Sequence, residues 1–235
     1  MKTKRIFERS TIQSPHPFPL NLGMSTLRYI QGMGAYMMIS DNAAHLFFAN
    51  VPDAYNLLVK KAIQDGMTAD SWETTWGCFT EFFDETPYPS NQTFLISLSS
   101  SWDWFIDQLG GFISYCEGLN QNNEEKLLSR LLSIHKKPVE EQFKLLEKVI
   151  PISDVSSIDK DNISELFLIR NLGMHNGWVV DKEYLDKSQR HGLKEGMLIE
   201  INSNIVLPLQ KSLIDVITKL TTIVASKYAN FPDYN

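Results

Sequence analysis

The sequence predicts an all-α fold, and three observations predict it. Apolar residues recur at three- and four-residue steps through most of the chain, which is the spacing of a single helix face. Prolines and glycines such as Pro52, Gly66, Pro87, Pro138 and Gly177 stand where these segments begin or end. The one alternating stretch, Met197-Leu198-Ile199-Glu200-Ile201, makes a brief extended segment but no sheet.

Taken in order, residues 1–22 read as a flexible arm, because Pro15, Pro17 and Pro19 disfavour helix and favour extended chain. From Met24 onward, Leu27, Ile30, Met33 and Met37 mark a helix, and Asp41 or Asn42 is placed to cap a further short one carrying Leu46 and Phe47. Pro52 suits the first turn of a helix that carries Tyr55, Leu58, Val59 and Ile63 and stops near Gly66. A helix from Asp70 or Ser71 presents Trp72, Trp76, Phe79, Phe82 and Phe83, and Pro87 and Pro89 end it. An aromatic stripe at that spacing is core. In residues 98–123, Trp102, Phe105, Ile106, Leu109, Phe112 and Ile113 trace one face. The Gly110-Gly111 pair costs that helix about 1 kcal/mol per glycine relative to alanine, and close packing against another helix explains it most simply. Leu127, Leu128, Leu131 and Leu132 mark a short amphipathic helix. Pro138 opens another that buries Phe143, Leu145, Leu146 and Val149. A helix from Asp159 or Asp161 runs to about Gly177, and a last long one from about Asn204 to Tyr228 holds Pro208 in its first turn.

A chain of 235 residues with 43% apolar content can bury a substantial core without disulfides or metals. Cys78 and Cys116 are far apart and flanked by aromatics, so they read as buried free thiols in a reducing compartment. The basic start Met1-Lys2-Thr3-Lys4-Arg5 is not followed by the apolar run of a signal peptide, and no stretch has the length of a membrane span. A cytoplasmic protein with no membrane contact is expected. The net charge of -6 is uneven: residues 1–40 carry +4, residues 41–123 carry -9 and residues 124–235 carry -1. An acidic surface repels bulk nucleic acid and excludes a general DNA- or RNA-coating role, so any nucleic-acid chemistry needs a local basic site.

Several chemistries lack their motifs. There is no phosphate-binding GxxxxGK[ST] loop, no CxxC pair, no HExxH and no GxSxG. His16, His45, His135, His175 and His191 are scattered, with no pair at metal-ligand spacing on one helix face, so neither a metal nor another cofactor is expected. One segment does gather functional groups: Glu165-Leu166-Phe167-Leu168-Ile169-Arg170-Asn171-Leu172-Gly173-Met174-His175-Asn176-Gly177-Trp178. Asn171 and His175 are four apart and share a helix face, so the amide can reach the imidazole and fix its tautomer. Arg170 stands beside that face with a guanidinium suited to phosphate. A phosphate-holding Arg beside a His that moves a proton is a minimal metal-free kit for phosphodiester cleavage. The plain structural account of the same residues is a helix C-terminus. In that account Asn176 or Gly177 takes the left-handed cap, His175 meets the helix dipole, and Arg170 pairs with Glu165 or Asp161.

Arg170-Asn171-x3-His175 resembles the R-x4–6-H motif of the HEPN superfamily, including the polar residue that often follows the Arg. The setting is similar too: an apolar helix enters the motif, a small or polar pair follows the His, and a long helix comes later. The Ser101-Trp102-Asp103-Trp104-Phe105-Ile106 segment looks like the first core helix of such domains. The resemblance spans roughly residues 96–230, with residues 23–95 as an additional N-terminal helical region. It implies an HEPN-like helical bundle that forms a homodimer. It also implies an RNA substrate cut by attack of the ribose 2′-hydroxyl on the adjacent phosphate, without metal. The groups doing so would be Arg170, Asn171 and His175 from both protomers in one composite cleft. Toxin or defence effectors, some held by an antitoxin or other partner protein, are common in the family. Other members are non-catalytic modules that bind a partner or a nucleotide.

Asp103 and Asp107 either lend an acidic group to that site or are solvated helix charges. Trp178 reads as a packing residue past the helix end, and His135 as a helix-terminal cation beside Lys136-Lys137. Lys187, Arg190, His191 and Lys194 form a small basic patch after the motif that either steers RNA toward the site or, offset by Glu183, Asp186 and Glu195, is a solvated loop, the simpler account.

Overall fold

In a computed structural model, the structure describes residues 18–50, 54–68, 70–71, 89–119, 125–188 and 190–229. The fold is all-α, as the periodicity predicts. In chain order the helices are α1 (Phe18–Asn50), α2 (Ala54–Gln64), α3 (Pro89–Leu119), α4 (Glu125–Leu131), α5 (Val139–Leu146), α6 (Ser157–Asn176), α7 (Lys182–Lys187) and α8 (Ser203–Lys227), with a 3-10 turn at Ile134–Lys136. Extended pairing among the described residues is limited to one isolated antiparallel bridge, Val179 with Leu198. One side of that bridge falls within the short alternating stretch.

Several helix limits differ from those the sequence predicts. α1 begins at Phe18, so residues 18–22 of the expected arm are helical, and Pro19 sits in the first turn, where its missing N–H costs nothing. The chain also stays helical through Asp41 and Asn42, so the expected second short helix is part of α1. α3 begins at Pro89, and the 95/96 boundary drawn from sequence lies inside it. α7 is invisible to periodicity because six residues carry too little pattern. Its signal is Asp181, whose carboxylate caps the helix by accepting the Tyr184 N–H at 2.7 Å. The aromatic helix expected over 72–87, Cys78, His16 and the side chain of His45 lie outside the described residues.

The chain divides into two compact units, one of Met1–Tyr29, Ser100–Ser164 and Lys211–Asn235, the other of Ile30–Ser99 and Glu165–Gln210. In the first unit, Trp102, Phe105, Ile106, Leu109 and Ile113 of α3 are fully buried, as their stripe predicts. The indole of Trp102 lies 5.7 Å from the Phe143 ring, and its Nε1 donates to Gln142 Oε1 at 2.7 Å, so the one polar atom of the largest core side chain is satisfied. Gly110 is where α4 and the 3-10 turn meet α3: a Cβ there would stand 2.5 Å from the Leu131 carbonyl oxygen and 2.6 Å from Ile134 Cγ2. The glycine is thus required by close approach. Glu117 is buried but paired, receiving Lys227 Nζ at 2.5 Å and the Tyr228 hydroxyl, which ties the end of α8 to α3. Cys116 beside it is buried and free, and burial together with the Glu117 charge pushes its thiol pKa up to about 12.

The second unit buries Ile30, Phe94, Leu95 and Leu98, together with Leu166, Ile169 and Leu172 of α6 and Val180, Tyr184, Ile199, Val206 and Leu209 after it. Each such fully buried aliphatic or aromatic side chain stabilises the fold by about 1.5–3 kcal/mol. The C-terminal part of α6 is therefore held by one face, and its opposite side faces solvent.

Candidate functional site at the end of helix α6

The motif occupies the last two turns of α6. Ile169 and Leu172 point into the core at 0% and 3% exposure. Helical geometry then turns their neighbours outward: Arg170 is half-buried, and Asn171 and His175 are exposed. Arg170 is laid back along the helix, with its guanidinium carbon 5.4 Å from the centre of the Phe167 ring. Such a cation–ring contact contributes roughly 0.5–1 kcal/mol at an exposed site and helps to fix where the guanidinium sits. Asn171 and His175 share a face as their spacing requires. Among the described residues, no hydrogen bond joins the Asn171 amide to the imidazole.

The helix stops abruptly just after the imidazole. Gly177 and Trp178 both take the left-handed conformation, at φ 56 and 67 degrees. The Trp178 N–H returns to the Leu172 carbonyl at 3.1 Å, and the Asn176 side-chain amide donates to the Val179 carbonyl at 2.6 Å. This reversal folds the Trp178 indole back over Gly173, where a Cβ would sit 2.5 Å from the ring. Trp178 is thus a packing residue, as its sequence position suggests, and it fixes the direction in which the chain leaves the motif.

One turn before Arg170 lies a feature that sequence reasoning missed. Glu165 is 8% exposed. It accepts the Tyr184 hydroxyl at 2.5 Å, the Ser188 hydroxyl at 2.9 Å and Arg190 Nε at 2.9 Å. The cation on that carboxylate is Arg190, whereas helical spacing offers Glu165 or Asp161 to Arg170. Burial, followed by the bond to Glu165, raises the Tyr184 pKa above the ordinary tyrosine value and keeps the phenol a donor. The partners lie 19–25 residues from Glu165, beyond any local spacing rule. The available signal was compositional: a lone Glu within the apolar run 163–169 must be paired if the helix is buried there.

Past this node the chain forms a small ladder with the segment that follows the motif. Val180 N–H reaches Met197 O at 2.8 Å, Gly196 N–H reaches Val180 O at 2.8 Å, and Ile199 N–H reaches Trp178 O at 2.9 Å. Gly192 and Gly196 supply left-handed turns at φ 86 and 84 degrees. The loop so pinned borders a groove of about 430 Å³ lined by Arg190, His191, Leu193, Leu198, Ile199, Glu200 and Ile205. Arg190 therefore belongs to an anchored loop and not to the solvated one expected from sequence.

Asp107 stands 2.6 Å from His135 Nδ1, in the first unit. No hydrogen bond joins the two, because His135 Nδ1 is buried without a partner of suitable geometry among the described residues, so the two side chains are close but not bonded, and His135 lies in the last turn of the 3-10 segment. Among the described residues, no group of three His, Cys, Asp or Glu side chains gathers to hold a metal ion, and no helix is long and apolar enough to cross a membrane.

No protein-family model matches the chain, and neither a curated protein nor a solved structure matches it. What the fold and the site define together is a class: an all-α protein that presents Arg, Asn and His side chains at the solvent-facing end of one helix.

Proposed function

We propose that the chain is a metal-independent endoribonuclease of the HEPN type, acting as a homodimer in toxin or defence chemistry. One observation supports the reading: an exposed imidazole and a half-buried guanidinium, set against the Phe167 ring, stand on adjoining turns of one helix end. In that reading Arg170 holds the scissile phosphate and stabilises the charge that develops on it. His175 takes the proton from the ribose 2′-hydroxyl or delivers one to the leaving 5′-oxygen. The 2′-oxygen forms a bond to phosphorus as the bond to the 5′-oxygen breaks, leaving a 2′,3′-cyclic phosphate and a 5′-hydroxyl. Asn171 contacts the imidazole or the substrate once RNA is bound. The second protomer completes the cleft.

The test is cleavage of RNA by the purified protein in excess EDTA, with end-group analysis of the products. Cyclic phosphate ends are expected. His175→Ala should lower the rate by roughly a hundred- to ten-thousandfold and leave the melting temperature unchanged, because the side chain is exposed. Cleavage that stops on chelation, or that survives His175→Ala, overturns the proposal.

The missing Asn171–His175 bond favours a second reading, an HEPN module without catalysis that binds a protein partner or a nucleotide. That reading expects intact RNA under every condition and a partner whose binding survives His175→Ala.

A further inference from the structure

The groove beside the ladder has a lining that neither the core nor the motif explains. Arg190 and Glu200 both border it, and they carry opposite charges. No ion pair joins them among the described residues. Arg190 gives only its Nε to Glu165, and that bond fixes the guanidinium while its two terminal nitrogens have no partner among the described residues. Glu200 is exposed, and its carboxylate has no partner among them either. The lining also includes the apolar side chains of Leu193, Leu198 and Ile205, and Leu198 is 52% exposed. The groove thus sets an open leucine beside an exposed carboxylate that has no partner among the described residues and beside the outer edge of a guanidinium whose charge is already paired with Glu165. The loop is not free to collapse over them, because the ladder bonds and the buried Glu165 hold it at both ends.

We propose that this groove is a subsite for one guanine nucleotide of a single-stranded RNA. The two terminal nitrogens that Arg190 does not use on Glu165, without a partner among the described residues, can still donate to an oxyanion such as a backbone phosphate. A carboxylate such as that of Glu200 accepts hydrogen bonds and donates none. Among the four bases, only guanine offers a carboxylate two adjacent donors on its pairing edge, N1–H and the N2 amino group. Adenine and cytosine set an acceptor beside their amino group, and uracil flanks its single donor with carbonyls. The flat purine then lies against Leu193, Leu198 and Ile205, as unpaired bases do on apolar or aromatic platforms. The volume of about 430 Å³ suits one nucleotide. Continuity with the motif supports an RNA strand over a free nucleotide: Ile199 in the groove wall is bonded to Trp178, three residues after His175. The choice of RNA as ligand rests on the ribonuclease reading, whereas the base preference rests on the groove alone.

The probe is a set of short fluorescent 2′-O-methyl oligonucleotides, which 2′-hydroxyl attack cannot cleave, each with one guanine, inosine or adenine among uridines. Anisotropy titrations of the full chain should give the guanine oligomer about tenfold tighter binding than the other two. Inosine lacks the N2 amino group and isolates that contact. Glu200→Gln should erase the preference while the melting curve is unchanged, since the exposed Glu200 carboxylate holds nothing in the fold. Equal affinity for all three oligomers, or a guanine preference that survives Glu200→Gln, overturns the subsite. A guanine preference in a protein that cuts no RNA upholds the subsite and removes the nuclease reading. RNA cleavage with no base preference in binding removes the subsite and keeps the nuclease.

Discussion

At the scale of single residues, the motif depends on two glycines that play different parts. Gly173 is needed for space. A methyl group there would meet the Trp178 indole at 2.5 Å, and a rigid ring cannot yield as a flexible chain end can. Gly173→Ala should therefore cost about 1–3 kcal/mol through overpacking. The check is a lowered melting temperature with a red shift in the Trp178 component of the emission. Gly177 is needed for its backbone: φ is 56 degrees, and nothing stands within 4 Å of a Cβ. Gly177→Ala should cost about 1–2 kcal/mol from the left-handed strain alone, and Gly177→Asn less, because asparagine tolerates that region. If both alanine variants lose the same stability and the same emission, the distinction between space and strain is wrong.

At the scale of elements, α6 is a helix whose start, middle and end are each secured by a different device. Its start is a capping pair: the Ser156 hydroxyl accepts the Asp159 N–H at 3.1 Å and donates to the Asp159 carboxylate at 2.7 Å. Its middle is the Glu165 node and its end the Trp178 reversal. The node couples α6 to α7 and the groove loop, so its members should not act additively. Arg190→Ala leaves a nearly buried carboxylate short of its cation and should cost about 1–3 kcal/mol, discounted because Arg190 is itself partly exposed. In the Glu165→Gln background the same change should cost less, since the charge that Arg190 neutralises is gone. A double-mutant cycle by urea denaturation measures this, and equal costs in both backgrounds would mean that Arg190 acts by packing alone.

The same elements show how much of the site was legible in the sequence. The end of α6, the shared face of Asn171 and His175, the cap at Gly177 and the packing role of Trp178 all follow from helical period and terminal chemistry, which are local, whereas its start lies at Ser157, two residues before the Asp159 that the sequence suggests. The Glu165 cluster and the groove do not. They join residues across a loop whose path is set by two left-handed glycines and three backbone bonds, and no short-range rule foretells that path. The close approach at Gly110 was legible because glycine weakens a helix, so one set inside an apolar stripe points to a neighbour that leaves no room for a side chain. The place of Arg190 is not legible from the sequence, because the nearby acids Glu183, Asp186 and Glu195 offer it plausible partners, whereas its partner Glu165 lies on α6.

At the scale of the whole molecule, stability should fall at both ends of the pH range, for reasons that belong to different groups. On the acid side the group is Asp159. Burial alone would raise its pKa, but hydrogen bonds from Ser156, Ser212 and Lys219, with the Lys219 charge 3.2 Å away, outweigh burial and hold it below its ordinary 3.8. A folded pKa below the unfolded one means that the folded state prefers the ionised form. The contribution is therefore complete above 3.8 and is lost as the pH falls from there through the lower folded value. Asp159→Asn should be less stable than the wild type at neutral pH, and the gap should close in that acid window and not before it. On the alkaline side Tyr184 and Tyr228 are raised above the ordinary value of 10.0, first by burial and then by their bonds to Glu165 and Glu117. The unfolded chain then releases these protons first, so stability is complete below pH 10.0 and declines above it. Tyr184→Phe and Tyr228→Phe should each flatten that decline, while lowering stability at neutral pH by about 1 kcal/mol for the lost hydrogen bond. Denaturation free energies across the pH range read both limbs. A wild-type-to-Asn gap that stays constant through the acid window would mean that Asp159 caps α6 by geometry and not by charge.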